Sequence, residues 1–237
     1  MKYPHSAKRV RITEIFSSLQ GEGPHMGERH IFVRFRDCHM SCGYCDEKGK
    51  KSKEMSLAEI LDEAVRLERK SGPHTFVSLT GGEPLVDADF LMSLCEALKK
   101  RKFRILLETS GVLWRQFSKV RAACDTIAMD LKLPSVTGQN DFLEEHRKFL
   151  DLAKRKKVYI KVVISRSVDL REYDKHLRMV ARVAPQTPVF LQPMSARKKV
   201  YPDPALMRFL DKLQRTGAGR LSDVRVGIQL HKVMNIP

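Results

Sequence analysis

The sequence predicts an α/β fold with a largely parallel sheet. Apolar runs rich in Val, Ile and Leu recur along the chain, and such runs are typical of parallel strands buried on both faces. Amphipathic helical patterns lie between these runs at a spacing that suits βαβ units. Since no internal repeat, low-complexity tract or long linker divides the 237 residues, we expect a single domain that spans residues 1–237.

The same patterns place the individual elements. The apolar runs predict strands at residues 10–16, 31–36, 76–80, 104–109, 126–131, 158–164, 189–192 and 224–230. Ser56 and Glu59 form a capping-box pattern, which opens a helix that we expect to end near residue 70, before Gly72 and Pro73. Further helices are predicted at residues 88–100, 141–156, 169–183 and 204–215.

The ends of four predicted strands carry polar residues and glycines. These segments are residues 80–84, 108–111, 130–132 and 192–194. In parallel α/β architectures, ligands bind at the carboxyl ends of the strands. We therefore expect the functional site at this edge of the sheet.

The chain is strongly basic. Lys and Arg total 44 and Asp and Glu total 28, which gives a formal net charge of +16. Such a surface attracts polyanions, but the basic runs at residues 99–102, 154–157 and 197–199 lie mostly on predicted helix faces and ends. Aromatic residues do not alternate with these runs as base-stacking platforms would. Solvated helix faces and an anionic partner both stay open, so the charge does not identify the function.

The expected location is the cytoplasm, without membrane attachment. No apolar run reaches about 18 residues, the length that a transmembrane helix needs. Residues 1–5 lack the apolar core of a signal peptide. The five cysteines are odd in number, which argues against a secreted disulfide framework and for a reducing compartment.

Three of the five cysteines lie within eight residues. Cys38, Cys42 and Cys45 have the spacing C-x3-C-x2-C, directly after a predicted strand. Three thiolates on one loop can bind a 4Fe–4S cluster and leave one iron with an open coordination site, which suits a cluster that binds a substrate. A zinc site of Cys3His type, with His39 or a distant His, and three buried thiols without metal are the alternatives. Cys95 and Cys124 are expected to be core thiols.

This cysteine spacing resembles that of the radical S-adenosylmethionine (SAM) superfamily. The resemblance implies a partial, trimmed (β/α) barrel, a 4Fe–4S cluster whose open iron is chelated by SAM, and a 5′-deoxyadenosyl radical that abstracts hydrogen from a substrate. Residues Gly81, Gly82, Glu83 and Pro84 resemble the glycine-rich motif that contacts the SAM amino group in that superfamily. Glycines let a backbone approach a ligand closely, and Glu83 offers an acceptor for an ammonium group.

The stretch from Phe16 to Pro24, which contains Leu-Gln-Gly-Glu, resembles 7-carboxy-7-deazaguanine synthase. The resemblance implies substrate contacts by eight residues, which are Leu19, Gln20, Gly21, Glu22, Arg34, Thr109, His231 and Pro237. Within this set, Arg34 is expected to bind the substrate carboxylate, because a guanidinium pairs with a carboxylate through two hydrogen bonds. The tail at residues 229–237 is expected to close the substrate pocket, with the α-carboxylate of Pro237 reaching the substrate.

The same resemblance implies which residues contact SAM. Besides the glycine-rich motif, they are Gly111, Asp130, Lys132, Gln192, Pro193, Met194 and Ser195. One position departs from the family pattern: Glu47 follows Asp46 where the family has a Thr or Ser whose hydroxyl ligates Mg2+. A carboxylate is also a good ligand for Mg2+, so Glu47 can replace the hydroxyl or point elsewhere.

The activity implied is the conversion of 6-carboxy-5,6,7,8-tetrahydropterin to 7-carboxy-7-deazaguanine with loss of ammonia, a step toward 7-deazapurine nucleosides such as queuosine. We expect a flavodoxin- or ferredoxin-type electron donor, a homodimer and no need for nucleic acid. Two alternatives stay open. The Asp-Leu-Lys tripeptide at residues 130–132 also resembles activases of glycyl-radical enzymes, and a basic zinc-containing nucleic-acid-binding module would explain the net charge.

Overall fold

The protein is described from a computed structural model, which covers residues 8–194 and 204–237. In those two ranges the chain forms nine strands: β1 Arg9–Leu19, β2 Arg29–Phe35, β3 Lys53–Ser56, β4 Phe76–Gly81, β5 Ile105–Thr109, β6 Thr126–Asp130, β7 Lys157–Ile164, β8 Val189–Pro193 and β9 Val224–Val226. The α-helices are α1 Leu57–Ser71, α2 Ala88–Lys100, α3 Trp114–Val120, α4 Pro134–Thr137, α5 Leu143–Ala153, α6 Leu170–Val183, α7 Pro204–Ala218 and α8 Leu230–Met234. None of these helices is long and apolar enough to cross a membrane.

All nine strands belong to one sheet, in the order β3-β1-β2-β4-β5-β6-β7-β8-β9. From β2 to β9 every neighbouring pair is parallel, whereas β1 runs antiparallel to both β2 and β3. The two end strands, β3 and β9, do not pair, so the sheet is a partial barrel. The predicted α/β fold with a largely parallel sheet is confirmed.

Side chains on successive strand positions point to opposite faces of the sheet. On β4, Val77 and Leu79 belong to the large core under the helices, whereas Phe76 belongs to a small apolar cluster on the other face. That cluster is the lower layer of the barrel interior and consists of Phe76, Leu106, Ala128, Tyr159 and Phe190. Two positions further along each strand, the same inward face carries polar residues, which builds a polar site above an apolar base.

Helix α1 begins as its capping-box pattern predicts. The Ser56 hydroxyl accepts a hydrogen bond from the backbone N–H of Glu59, and the Glu59 carboxylate accepts one from the backbone N–H of Ser56. The remaining predicted helices also form, with ends that shift by a few residues. Strand β3 and helix α3 have no counterpart in the prediction, because β3 has one apolar residue, Met55, and α3 has only seven residues.

The predicted strand at residues 224–230 is wrong in its second half. Strand β9 ends at Val226, and the backbone N–H of Gly227 donates to Leu191 as the last bond to β8. The apolar side chains of Val226 and Ile228 are exposed. They give the sequence a strand-like pattern, but they do not pack on the core. Leu230 begins the short helix α8 instead.

Candidate active site

A cavity opens at the carboxyl ends of the parallel strands, where the sequence predicts the functional site. It encloses about 1120 Å³, including space open to solvent. Its wall is formed by the cysteine loop at residues 38–47, by the ends of β4 to β8, and by Gln229 and Lys232 of the C-terminal tail.

The three cysteines of the loop all line this cavity. Cys38 is exposed, Cys42 is buried and Cys45 is half-buried, and none of them forms a disulfide. Burial raises the pKa of the Cys38 and Cys42 thiols, so a metal would have to displace their protons on binding. The loop is anchored from outside, since the backbone N–H of Gly43 donates to the carbonyl of Thr137 at 3.2 Å.

The Gly81-Gly82 turn is packed against the chain that leads into the cysteine loop. The backbone N–H groups of Gly82 and Glu83 donate to the carbonyls of Phe35 and Asp37 at 2.6 and 2.7 Å. Gly81 has φ +105°, and a Cβ on Gly82 would come within 2.3 Å of the Asp37 carbonyl oxygen. Only glycine permits this close approach, which places the turn and the cysteines on the same cavity.

Glu83 is buried, and its carboxylate faces the end of β5 rather than the cavity. It accepts hydrogen bonds from the Thr109 hydroxyl at 2.8 Å, the Ser110 hydroxyl at 2.6 Å and the backbone N–H of Ser110 at 2.8 Å. The backbone N–H of Leu85 adds a fourth donor at 3.2 Å. Glu83 therefore joins the glycine turn to β5, and Thr109 itself lines the cavity.

Asp130 and Lys132 form an ion pair beside the cysteine loop. The Lys132 ammonium lies 2.8 Å from Asp130 Oδ2 and 3.5 Å from the Tyr44 hydroxyl. Burial opposes the charge of Lys132, but Asp130 raises its pKa above the ordinary value; Lys132 and Lys161 in turn lower the pKa of Asp130 against the effect of burial. Asp130 Oδ1 is buried and lies 3.5 Å from the Lys161 ammonium, so the carboxylate of Asp130 lies between two lysines.

The floor of the cavity carries a buried lysine that the sequence interpretation missed. Lys161 lies on β7 and donates to Glu22 at 2.8 Å, while Glu108 of β5 lies 3.5 Å away. Glu108 also accepts hydrogen bonds from Gln20 at 3.0 Å and Thr80 at 3.3 Å. A charged residue inside the apolar run of residues 158–164 is the signal that could have identified Lys161.

The C-terminal tail contacts the loop that follows β1. Gln229 donates to Glu22 at 2.8 Å, and the backbone N–H of Leu230 donates to the carbonyl of Gly21 at 3.0 Å. The His231 ring packs on Gly21, where a Cβ would come within 2.1 Å of its Nδ1. Further contacts are those of Lys232 with Asp46 and of the Ser18 hydroxyl with the backbone oxygen of Pro237 at 2.8 Å.

Arg34 and Glu47 lie close to each other at the edge of the site. Arg34 pairs with Glu14, stacks over the Phe16 ring and lies 3.8 Å from Glu47. Glu47 accepts a hydrogen bond from Lys50 at 2.7 Å through one oxygen. Its other oxygen is buried and has no hydrogen-bond partner among residues 8–194 and 204–237.

Most of the predicted site residues lie on the cavity wall. Those on the wall are Glu22, Cys38, Cys42, Cys45, Glu47, Gly81, Gly82, Thr109, Asp130, Lys132, Gln192, Pro193 and Met194. The predicted site residues that do not line the cavity are Leu19, Gln20, Gly21, Arg34, Glu83, Gly111, His231 and Pro237. Ser195 lies outside the described residues.

Comparisons with known proteins agree with this arrangement. A model of the radical SAM superfamily matches residues 32–184. The 7-carboxy-7-deazaguanine synthase of Geobacter sulfurreducens is 32% identical over 248 residues, which cover 95% of this chain and 97% of that protein. The chain belongs to the 7-carboxy-7-deazaguanine synthase family. Two further members, from Methanopyrus kandleri and Thermoplasma acidophilum, are 32% and 34% identical and cover 95% and 94% of this chain, and 94% and 96% of their own lengths.

Solved structures show the same fold for this family member. QueE from Escherichia coli superposes with a TM-score of 0.68 at 22% identity and covers 96% of this chain and 97% of its own. TYW1 with a lysine-pyruvate adduct bound has a TM-score of 0.59 at 14% identity and covers 83% of this chain and 75% of its own. The partial barrel of radical SAM type is therefore confirmed.

As a radical SAM enzyme, this synthase-family chain uses a 4Fe–4S cluster and SAM. The donor set fits the cluster, because three free thiols of one loop face a common cavity. The cavity also offers SAM the Gly81-Gly82 turn and the ion pair of Asp130 and Lys132. These features lie next to each other on one wall.

Proposed function

We propose that this chain converts 6-carboxy-5,6,7,8-tetrahydropterin to 7-carboxy-7-deazaguanine and acts as a radical SAM lyase. The supporting observation is that one cavity joins the three cysteines to Glu22 of the Leu-Gln-Gly-Glu segment. Relatives with that printed name match nearly the whole chain. Substrate and product differ by one ammonia, so the conversion needs no net oxidant.

At the cofactor end of the cavity, different residues would bind the cluster and SAM. When bound, the cluster and SAM supply a 5′-deoxyadenosyl radical that abstracts a hydrogen atom from the substrate. Cys38, Cys42 and Cys45 would hold the cluster, and the Gly81-Gly82 backbone would lie along SAM. The ion pair of Asp130 and Lys132 would orient SAM, together with the strand end at Gln192–Met194. Glu83, turned toward Thr109 and Ser110, would hold the wall rather than touch the ligand.

The substrate end lies under the C-terminal tail. Glu22 would accept hydrogen bonds from the pterin ring, and the guanidinium of Arg34 would bind the carboxylate. Thr109 would contact the ring from the end of β5. The contacts of Gln229 and Leu230 with residues 21–22 support a tail that closes the pocket and excludes water and other hydrogen donors.

We also propose Glu47 as the ligand of a Mg2+ ion that orients the substrate carboxylate. The buried oxygen of Glu47 without a hydrogen-bond partner supports this role, since carboxylate oxygens are preferred ligands of Mg2+. Replacing Glu47 by Gln should remove any stimulation of turnover by Mg2+. A Mg2+ dependence that is unchanged in the variant would contradict the proposal.

The remaining proposals concern partners, location and domain organisation. A flavodoxin- or ferredoxin-type protein would reduce the cluster, and the free cysteines fit the reducing conditions of the cytoplasm. The single sheet that runs through the described residues supports one domain over residues 1–237. A homodimer is a prediction that light scattering coupled to size-exclusion chromatography can test.

The deciding experiment is an anaerobic incubation of reconstituted protein with SAM, reductant and 6-carboxytetrahydropterin. Mass detection of 7-carboxy-7-deazaguanine, equimolar with ammonia, is the expected result. SAM cleavage without consumption of the pterin would instead favour a glycyl-radical-enzyme activase. A colourless protein that holds zinc and binds RNA or DNA in a salt-dependent way would favour a nucleic-acid-binding module.

Two single cysteine variants, one in the loop and one in the core, test which residues bind the cluster. Cys42→Ala should lose both the iron and SAM cleavage, because two thiolates are too few to hold the cluster. Cys95→Ala, a change on α2 in the core, should keep both. Iron and sulfide analysis with the visible absorption spectrum measures the outcome, and a Cys42→Ala protein that keeps its iron would refute the assignment.

A further inference from the structure

Lys161 is a buried cation with three carboxylates around it. Its ammonium lies 2.8 Å from Glu22, 3.5 Å from Glu108 and 3.5 Å from Asp130, and its side chain is 10% exposed. The three carboxylates come from the loop after β1 and from the ends of β5 and β6. All four groups line the active-site cavity, so this cluster faces the substrate space rather than the protein core.

Lys161 is the cation that pairs with both Glu22 and Glu108. In the described parts of the chain, neither Glu22 nor Glu108 has another ion-pair partner within 4.0 Å. Their other contacts are neutral donors from Gln229, Gln20 and Thr80. Burial raises the pKa of Glu22, but Lys161 and the hydrogen bond from Gln229 bring it below its ordinary value. Without Lys161, burial would favour a protonated Glu22 carboxyl.

The fold does not need a charge at this position. The inward-facing position below it on β7 is Tyr159, in the apolar layer with Phe76, Leu106, Ala128 and Phe190. An aliphatic side chain at position 161 would continue that layer. A buried cluster of like charges around one cation costs desolvation energy, so it is weak evidence for stability. This favours a function in ligand binding.

Two carboxylates on the cavity floor favour a ligand whose facing edge carries hydrogen-bond donors. They accept N–H donors and repel carbonyl oxygens or anions. A ring with an amino group next to a ring N–H, as in a 2-amino-pyrimidinone, presents two such donors side by side. The pterin of the proposed function has this edge, and its carboxylate would lie away from the floor, toward Arg34.

We propose that Lys161 is a positioning residue that holds the Glu22 and Glu108 carboxylates in place to recognise the amino-pyrimidinone edge of the substrate. The inference rests on the proposed function and adds a residue that determines substrate selectivity. Lys161 acts through the two glutamates, so its removal affects substrate binding more than the radical chemistry.

The test compares Lys161→Met, Lys161→Gln and Lys161→Arg with the wild-type enzyme. Lys157→Met is the matched control, since Lys157 is an exposed lysine on the same strand. The measurements are the substrate Kd without reductant, KM and kcat with it, and the ratio of kcat/KM for the 2-amino substrate to that for its 2-oxo analogue. Iron content and SAM cleavage report on folding and on the cofactor end.

Lys161→Met and Lys161→Gln should raise Kd and KM about 10- to 100-fold, as expected for the loss of charge-assisted hydrogen bonds. Their kcat should change less than about 3-fold. Selectivity for the 2-amino ring should fall by about 10-fold, since a protonated Glu22 carboxyl can donate its O–H to a carbonyl edge as well. Lys161→Arg should recover at least half of the lost affinity on a logarithmic scale, and Lys157→Met should behave as wild type.

The outcomes separate this inference from the proposed function. If the wild-type enzyme makes the deazaguanine and the neutral variants keep their Kd, KM and selectivity, the inference is overturned while the function stands. If the wild type neither binds nor converts the pterin, the proposed function fails, and the inference with it. If Lys161→Met does not fold, Lys161→Gln decides by the same criteria.

Discussion

Two glycines determine how closely the cysteine loop approaches the end of β4. Gly81 has a positive φ, and Gly82 lies so close to Asp37 that a Cβ would overlap the carbonyl oxygen. The backbone hydrogen bonds of Gly82 and Glu83 to Phe35 and Asp37 depend on that proximity. At the residue scale, the lack of a side chain at Gly81 and Gly82 therefore allows the end of β4 to pack against the chain that leads into the cysteine loop.

Gly82→Ala should lower the free energy of unfolding by about 1–3 kcal/mol, because the neighbouring carbonyl is backbone and must move. Gly43→Ala is the control, since a Cβ there meets nothing within 4 Å. Urea unfolding under anaerobic conditions measures both variants. Equal stability of Gly82→Ala and Gly43→Ala would contradict the close packing.

His146 should make the protein sensitive to acid. Burial, and then the charge of His176, lower its pKa to about 3. An unfolded chain binds a proton at this residue below about pH 6.5, while the folded chain stays neutral. The contribution of His146 is therefore complete above about pH 6.5 and is lost as the pH falls toward 3, with a slope of up to about 1.4 kcal/mol per pH unit.

Urea unfolding at pH 7, 6 and 5 should show this slope, and His146→Gln should reduce it. The imidazole of His146 should not titrate between pH 5 and 8 in the NMR spectrum of histidine-labelled protein. A titration of this residue near pH 6.5 would rule out the expected effect.

At the scale of elements, alternation along the strands separates the core from the site. The inward positions of the central strands are apolar at the base, as in Leu106 and Tyr159, and polar one pleat higher, as in Glu108 and Lys161. The outward positions remain apolar and pack on the helices. A one-residue shift in register would exchange these faces, so correct helix packing also places the polar groups in the cavity.

The boundary of helix α1 offers a local test at this scale. Ser56→Ala removes the side-chain acceptor for the backbone N–H of Glu59 and should destabilise the protein by about 1 kcal/mol. Ser52→Ala, at an exposed position just before β3, should have no measurable effect. Thermal unfolding compares the two; equal melting temperatures would show that the capping box does not stabilise α1.

At the scale of the whole molecule, the C-terminal tail contacts the end of β1 and the loop that follows it. Ser18 contacts Pro237 across 219 positions of sequence, and Glu22 contacts Gln229 across 207 positions. Lys232 also reaches Asp46 beside the cysteine loop. The tail thus connects the substrate loop to the cofactor loop.

Removal of residues 229–237 should leave the iron content and SAM binding unchanged, because the cysteine loop and the strand ends keep their own contacts. The KM for the pterin should rise at least about 10-fold, which corresponds to a loss of about 1.4 kcal/mol of binding energy. Met234→Ala, a change at an exposed tail residue, serves as the control. Unchanged pterin kinetics in the shortened protein would contradict a closing role of the tail.

Local patterns predicted much of the fold and several of the residues that line the cavity. The cysteine spacing and the glycine turn are short motifs, so their residues lie together whatever the sheet order is. The short helix α3 escaped prediction because seven residues carry too little periodicity. The strand predicted at residues 224–230 is too long because exposed apolar residues give the same sequence pattern as a buried strand.

The amino-acid sequence by itself determined the α/β class, most element positions, the three-thiol loop and the family, since these depend on periodicity and on residues that are neighbours in the chain. The tertiary structure alone decided that Lys161 meets Glu22 across 139 positions, that the tail covers residues 18–22, and that Glu83 turns to Thr109. Such contacts follow from which strands lie side by side and which face each residue occupies, and sheet order is set by the packing of the whole chain.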